Sequence, residues 1–323
     1  AHLDHSSMVP LLIKYGYTGP IYCTMPTRDI MSLLALDYIS VGFKESSEAP
    51  FSITEVKQMV KQTICLSYNE VSDITPDIRI TFYNAGHILG SAMTHLHIGN
   101  GLHNLLYTGD MLYDYSNLLS RAVTRFPRLE TVIVESTYGS KNDLPPSRKE
   151  CEDELVNIIN TTVKNGGKIL MPVLGVGRSQ EIMVILEKAI REGKVPKIPV
   201  YVQGMVWDVT AIHTAYPDFF NSKTRQQIFH KNENPFLAKI FKQVGSQKEM
   251  KEVIEGGPCV ILATSGMMTG GSSVEYFKQL GDDPKNSLVL TSYQGEGSLG
   301  RRLQQGEKEI MFPEGRKQVP VFV

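Results

Sequence analysis

From about residue 147 to residue 304 the sequence alternates strand-like and helix-like segments without a break, and this alternation constrains the fold more than any other feature. The runs at 168–173, 199–203, 258–264 and 287–293 are short, apolar and rich in β-branched residues, as strands are. Helical apolar spacing marks 147–164, 178–191, segments through about 245, 272–280 and a short stretch at 298–304. Strands separated by helices pair through crossovers, which predicts a parallel sheet covered on both faces. The first 140 residues have another texture. There 21–24, 78–83, 93–98, 105–108 and 131–135 read as strands joined by turns, with helices at 26–38 and 53–61. The stretch 142–147, with Pro145 and Pro146, is the natural boundary between the two textures. The last residues, 318–323, read as a further strand, and both ends look cut through folded structure, as in a fragment.

A chain of 323 residues, 41% hydrophobic and 21% charged, can bury the cores of two ordinary domains. No apolar run approaches the roughly 20 residues that span a bilayer, and no basic-apolar leader opens the sequence. Secretion and membrane insertion are therefore not expected, and a cytoplasmic location is. Cysteines stand at 23, 65, 151 and 259 with no C-x-x-C pair, which argues against a disulfide scaffold and against a thiolate zinc ribbon. The net charge of −1 excludes a simple polycation. Residues 1–138 carry −4 and the remainder +3, a division that suits a metal site beside a track for a polyanion.

Four short strings carry chemistry. His2-Leu3-Asp4-His5 sets two imidazoles and a carboxylate within one turn, a donor set that suits Zn²⁺; the ordinary alternative is a histidine-rich helix cap. Gly86-His87-Ile88-Leu89-Gly90-Ser91 follows a strand and presents His87 on a glycine-eased loop. Tyr107-Thr108-Gly109-Asp110 delivers a carboxylate directly after a strand, able to bridge cations or simply to make a turn. Glu135 ends the apolar run 132–134, as a functional or a capping carboxylate.

In this order the strings HLDH, GHILGS, YTGD and ESTYG resemble the successive motifs of the metallo-β-lactamase superfamily in its β-CASP branch. Ala1-His2-Leu3-Asp4-His5-Ser6 resembles the tail of an H-x-H-x-D-H motif, and Ala263-Thr264-Ser265-Gly266-Met267 a β-CASP signature. With Tyr15-Gly16-Tyr17, Pro26-Thr27-Arg28-Asp29 and Asn84-Ala85-Gly86-His87, the strings are most similar to the archaeal cleavage-and-polyadenylation-specificity-factor-like ribonucleases.

The resemblance implies an α/β fold: an incomplete metallo-β-lactamase αββα domain at 1–140, then an inserted β-CASP domain at 141–310 whose mainly parallel sheet is flanked by helices. Residues 311–323 would start the return to the first domain. It implies a zinc-dependent ribonuclease, an endonuclease with 5′-exonuclease action as an option open to it, in RNA 3′-end processing or transcription termination. In the intact protein two Zn²⁺ ions would be held by His2 and His87, by Asp4 and His5, and by a bridging Asp110. Asp4 and Glu135 would be catalytic, Glu135 through a downstream histidine. RNA and the transcription machinery are the implied partners, with a homodimer of the intact protein. One family histidine would precede His2 and two would follow Val323, so residues 1–323 alone are expected to bind zinc weakly and to cut nothing. Met111 stands where an aromatic residue is expected, and Ser7 where glycine is usual. The competing expectations are a non-catalytic RNA-binding scaffold of the same branch and a small-molecule metallo-hydrolase.

Substrate contacts are expected at Arg178, Ser265 and Gly266, on loops that end strands and open helices, and at His230 among polar residues. His95 and His97, two apart in a strand, are read as a sheet-surface pair rather than as ligands, and His103 likewise. His213 is read as packing or capping a helix.

Overall fold

The computed structural model describes residues 1–44, 49–143, 146–312 and 315–318. The chain divides into two compact units, Ala1–Asp143 with Ala215–Arg225, and Leu144–Thr214 with Gln226–Val323.

The first unit opens with two short helices, α1 (Leu3–Ser6) and α2 (Val9–Lys14), followed by β1 (Ile21–Cys23), α3 (Met25–Lys44), α4 (Ile53–Gln62) and β2 (Thr63–Cys65). Strands β3 (Val71–Thr75), β4 (Ile78–Asn84), β5 (Ala92–Ile98), β6 (His103–Tyr107) and β7 (Thr131–Ile133) follow. They lie side by side in sequence order, antiparallel up to β6, with β7 parallel to β6. The strands β1 and β2 form a separate parallel pair that puts Cys23 opposite Cys65. A capping box of Ser52 and Glu55 starts α4. Val56 and Met59 of this helix then bury against Met31, Ala35 and Ile39 of α3.

The second unit contains α5 (Arg148–Lys164), β8 (Ile169–Pro172), α6 (Arg178–Arg191), β9 (Val200–Gln203), α7 (Met205–Ala215) up to Thr214, and α8 (Ser222–Lys231) from Gln226 onward. It continues through β10 (Phe241–Val244), α9 (Gln247–Glu255), β11 (Val260–Ala263), α10 (Gly271–Leu280), β12 (Ser287–Leu288), α11 (Leu299–Gln304), β13 (Glu309–Phe312) and β14 (Gly315–Gln318). Five strands form an all-parallel sheet in the order β10-β9-β11-β8-β12, as the alternating pattern predicts. All four residues of β8 and of β11 are buried, which is why these strands read as continuous apolar runs.

The structure differs from the sequence expectations at several points. Residues 241–244 form an edge strand rather than helix, because they pair in parallel, residue for residue, with Val200–Gln203 of β9. The strand expected at 287–293 stops at Leu288; beyond it the Thr291 hydroxyl donates to the Pro172 carbonyl instead of extending the ladder. The short polar strands β2 and β3 carry no run that marks them in the sequence. Residues 215–225, placed by sequence inside 141–310, group with the first unit. The Asn221 amide donates there to the carbonyls of Ser116 and Asn117, and Phe220 bridges Leu119. Leu144 and Pro145 of the boundary stretch lie outside the described residues, as does the expected 318–323 strand beyond Gln318.

His213 packs, as expected. It is fully buried in α7, with Nδ1 bonded to the Val209 carbonyl at 2.8 Å and its ring against Phe236. Burial lowers its pKa from 6.5 to about 4. The unfolded chain therefore takes the proton first, and stability present above pH 6.5 is lost as pH falls toward 4. The loss amounts to about 3 kcal/mol if the whole shift is realised. Trp207, the single tryptophan, lies on the same helix and reports on this unit. Urea midpoints followed by its fluorescence should fall between pH 6.5 and 4.5, and clearly less in His213→Gln. Equal slopes in the two proteins would remove His213 as the cause.

Candidate metal centre

His2 is the N-cap of α1, in extended conformation. The buried Ser6 hydroxyl donates to the Ala1 and His2 carbonyls, both at 3.1 Å, and closes the turn. His2 and His5 are three residues apart and so share a face of this turn, whereas Asp4 falls to the side. Its side chain is 89% exposed and Oδ2 stands 3.9 Å from His2 Nδ1. The structure thus gathers His2 and His5 but does not bring in Asp4, for a reason of helical geometry that the string HLDH conceals.

His87 sits on the loop 85–91 between β4 and β5. Asn84, the last residue of β4, accepts from the Gly86 N–H through Oδ1 and donates to the Ser120 and Arg121 carbonyls through Nδ2. The Ser91 hydroxyl accepts from the His87 and Ile88 N–H groups at 3.1 and 3.2 Å. Asp110 follows β6, and the Leu112 N–H donates to the Ala85 carbonyl at 2.8 Å, tying its loop to that of His87.

One oxygen, Asp110 Oδ2, lies 3.0 Å from His2 Nε2, 3.2 Å from His5 Nε2 and 3.7 Å from His87 Nε2. His2 Nε2 and His87 Nε2 are 3.2 Å apart. Among the described residues, His2, His87 and Asp110 form the one group of three whose ligand atoms all converge; His5 joins it through Asp110. Burial, then the positive amino terminus and His87, lower the His2 pKa to about 4, against a smaller opposite pull from Asp110. Burial likewise lowers that of His87, which Asp110 partly offsets. Burial alone would raise the Asp110 carboxyl, but His5, His2 and His87 outweigh it and hold the group below its usual range. His2 and His87 are thus neutral and Asp110 ionised near pH 7, the protonation states a cation requires. The His2 Nδ1, buried and without a hydrogen-bond partner among the described residues, leaves that ring held mainly by what meets Nε2. Three imidazole nitrogens and a carboxylate oxygen are a donor set that fits a zinc-like divalent ion.

Glu135 lies just past β7. Its Oε1 accepts from the Met111 N–H and its Oε2 from the Thr137 N–H, both at 3.1 Å. Burial raises its pKa, but the hydrogen bonds from Thr137 and Met111 win, and the carboxyl is held low. It therefore grips the residue next to Asp110, a role not visible in the string ESTYG. Asn84 and Ser91 were also legible only as parts of motifs, without a role of their own.

In the second unit, Pro172 and Ala263 end adjacent parallel strands in register, so the loops carrying Arg178 and Ser265-Gly266 leave the carboxyl ends of neighbouring strands. Arg178 is exposed at the start of α6. Ser265 Oγ accepts from the Thr269 N–H at 3.0 Å, and the Gly266 carbonyl accepts from Gln294 Nε2 at 3.0 Å. His230 is exposed in the last turn of α8. His95 is not on a surface: it is fully buried, bonded to the Arg128 carbonyl, its ring centre 4.2 Å from that of His97. His103 bonds the Thr131 hydroxyl.

A metallo-β-lactamase superfamily domain model matches residues 3–126, and a β-CASP domain model matches 179–303. The transcription termination factor FttA of Methanothermobacter thermautotrophicus is 55% identical over 322 residues, covering 100% of this chain and 51% of the relative. FttA of Methanocaldococcus jannaschii is 53% identical over 311 residues, 96% of this chain and 49% of the relative. FttA of Thermococcus kodakarensis is 52% identical over 323 residues, 99% of this chain and 50% of the relative. The chain thus spans about half the length of these curated relatives. With motif order, fold and both domain models in agreement, the chain belongs to the β-CASP branch of the metallo-β-lactamase superfamily.

Proposed function

We propose that this chain forms the core of a zinc-dependent ribonuclease that acts in transcription termination or RNA 3′-end processing. The observation that carries the reading is the approach of three histidine nitrogens to one Asp110 oxygen, within 3.7 Å. The names of the relatives supply the process.

His2, His5, His87 and Asp110 would hold the metal. Asp4, beside them at the start of α1, is the proposed donor to a second ion in the intact protein. When bound, such ions activate a water and offset charge on a phosphodiester. The residues of the chain do the rest. Glu135 keeps the Asp110 loop in place through Met111 and presents a low-pKa carboxylate to a partner imidazole. Arg178, exposed at the start of α6, offers a guanidinium to an RNA phosphate, and Ser265 and Gly266 offer a close-packed loop at the same strand ends. The exposed His230 would contact RNA elsewhere on the second unit. The transcription machinery is the proposed protein partner, and a homodimer the proposed assembly.

The test uses the protein in its natural full length, loaded with Zn²⁺, on end-labelled single-stranded RNA. Cleavage that a chelator abolishes, and that Asp110→Asn lowers by about 100-fold or more, is the expected result. Binding of the RNA without cleavage at any metal load would overturn the reading and leave a scaffold.

A further inference from the structure

The loop that carries His87 ends on two carbonyls, and each receives two donors. The Ser91 carbonyl accepts from the Ala85 N–H at 3.1 Å and from the Tyr68 hydroxyl at 2.8 Å. The Gly90 carbonyl accepts from two threonine hydroxyls, Thr24 Oγ1 at 2.7 Å and Thr27 Oγ1 at 3.0 Å. Thr24 is 1% exposed and lies between β1 and α3, far from His87 in sequence. Its oxygen also accepts from the Thr27 N–H at 3.4 Å, so one buried hydroxyl caps α3 and clamps the loop.

The fit around Gly90 is close. Its φ is +78°, and a Cβ there would stand 2.7 Å from Thr24 Oγ1, 2.9 Å from Pro26 Cβ and 3.0 Å from the Thr27 nitrogen. The next two residues back, Leu89 and Ile88, are buried, whereas His87 is exposed toward Asp110. From Gly90 the support passes through Ser91, whose hydroxyl takes the His87 N–H, to the imidazole that meets His2 and Asp110. Among the described residues, Thr24 and Thr27 are the groups at the start of α3 that bond to this loop's backbone.

We infer that Thr24, with Thr27, is a positioning residue that sets His87 against Asp110 and thereby tunes metal affinity from the start of α3. The inference rests on the metal-binding reading above. Groups that orient a ligand from behind commonly control affinity by about 10–100-fold. A valine at 24 keeps the shape but removes both the donor and the cap, whereas a serine keeps the hydroxyl.

The experiment titrates Co²⁺, as a visible probe, into the full-length wild type, Thr24→Val, Thr24→Ser, Thr27→Val and His87→Ala, with thermal unfolding of each metal-free protein alongside. The expected result is affinity about tenfold weaker in Thr24→Val, an altered visible spectrum, and recovery of both in Thr24→Ser. Thr27→Val should weaken binding in the same direction while leaving the cap oxygen of Thr24 in place. Wild type that takes up Co²⁺ and Thr24→Val that matches it in affinity and spectrum would overturn the positioning role alone. Wild type that takes up none, like His87→Ala, would overturn the metal reading itself. Should Thr24→Val fail to fold, Thr27→Val decides, since its metal-free unfolding is expected to stay close to wild type.

Discussion

Asp110→Ala is expected to weaken Zn²⁺ binding by more than about 100-fold, beyond what outer partners of a ligand usually control. The physical reason is convergence. Asp110 Oδ2 is the point that His2, His5 and His87 all approach, so its removal deletes the sole anion of the gathered set. Protonation of the imidazoles does not explain such a loss. Asp110 raises the pKa of His2 and of His87, so its removal leaves both rings further from protonation at pH 7. Collapse of the loop does not explain it either, because Glu135 holds the Met111 N–H and Ala85 holds the Leu112 N–H without help from the Asp110 side chain. Competition with a chromophoric chelator in the full-length protein measures the effect. An unchanged dissociation constant would mean that the three histidines meet Asp110 for reasons unrelated to a metal.

The second large effect is expected at Gly86. Its φ is +70°, and a Cβ would stand 2.7 Å from the Ser120 carbonyl oxygen and 2.8 Å from the Ala122 nitrogen. Those are backbone atoms of the segment that Asn84 also holds, so they cannot rotate aside. Gly86→Ala should therefore cost about 3 kcal/mol, the left-handed strain and the clash together. Urea unfolding read by circular dichroism checks the figure. A comparison with Gly86→Asn separates the two causes. Asparagine tolerates the left-handed region but carries the same Cβ. If the clash dominates, Asn fares no better than Ala; recovery with Asn would assign the cost to φ alone.

How far the sequence could be read varied with the range of the interaction. Helices with clear apolar spacing, at 53–61 and 147–164, were found within a residue or so, and in the structure Ser52 with Glu55 and Ser147 with Glu150 form the capping boxes that start them. The buried strands β8 and β11 stood out because all their residues are apolar. Strands β2, β3 and β10 did not. Each is short and half-polar; β2 and β10 become strands by pairing with β1 and β9, about 40 positions away, and β3 by pairing with its neighbour β4. The role of Glu135 was hidden for a similar reason, since its partner Met111 is 24 positions away.

The sequence by itself determined the order of the motifs, the kinds of donor atom available and the parallel sheet of the second unit. Those properties follow from residue type and from short-range periodicity. Only the tertiary structure decided that His2 and His87, 85 positions apart, come within 3.2 Å, and that His5 rather than Asp4 faces Asp110. Such meetings depend on strand register, on one turn of α1 and on the carbonyls that anchor the His87 loop. No stretch of chain carries that information alone, because each contact is stabilised only when the distant segments are already packed.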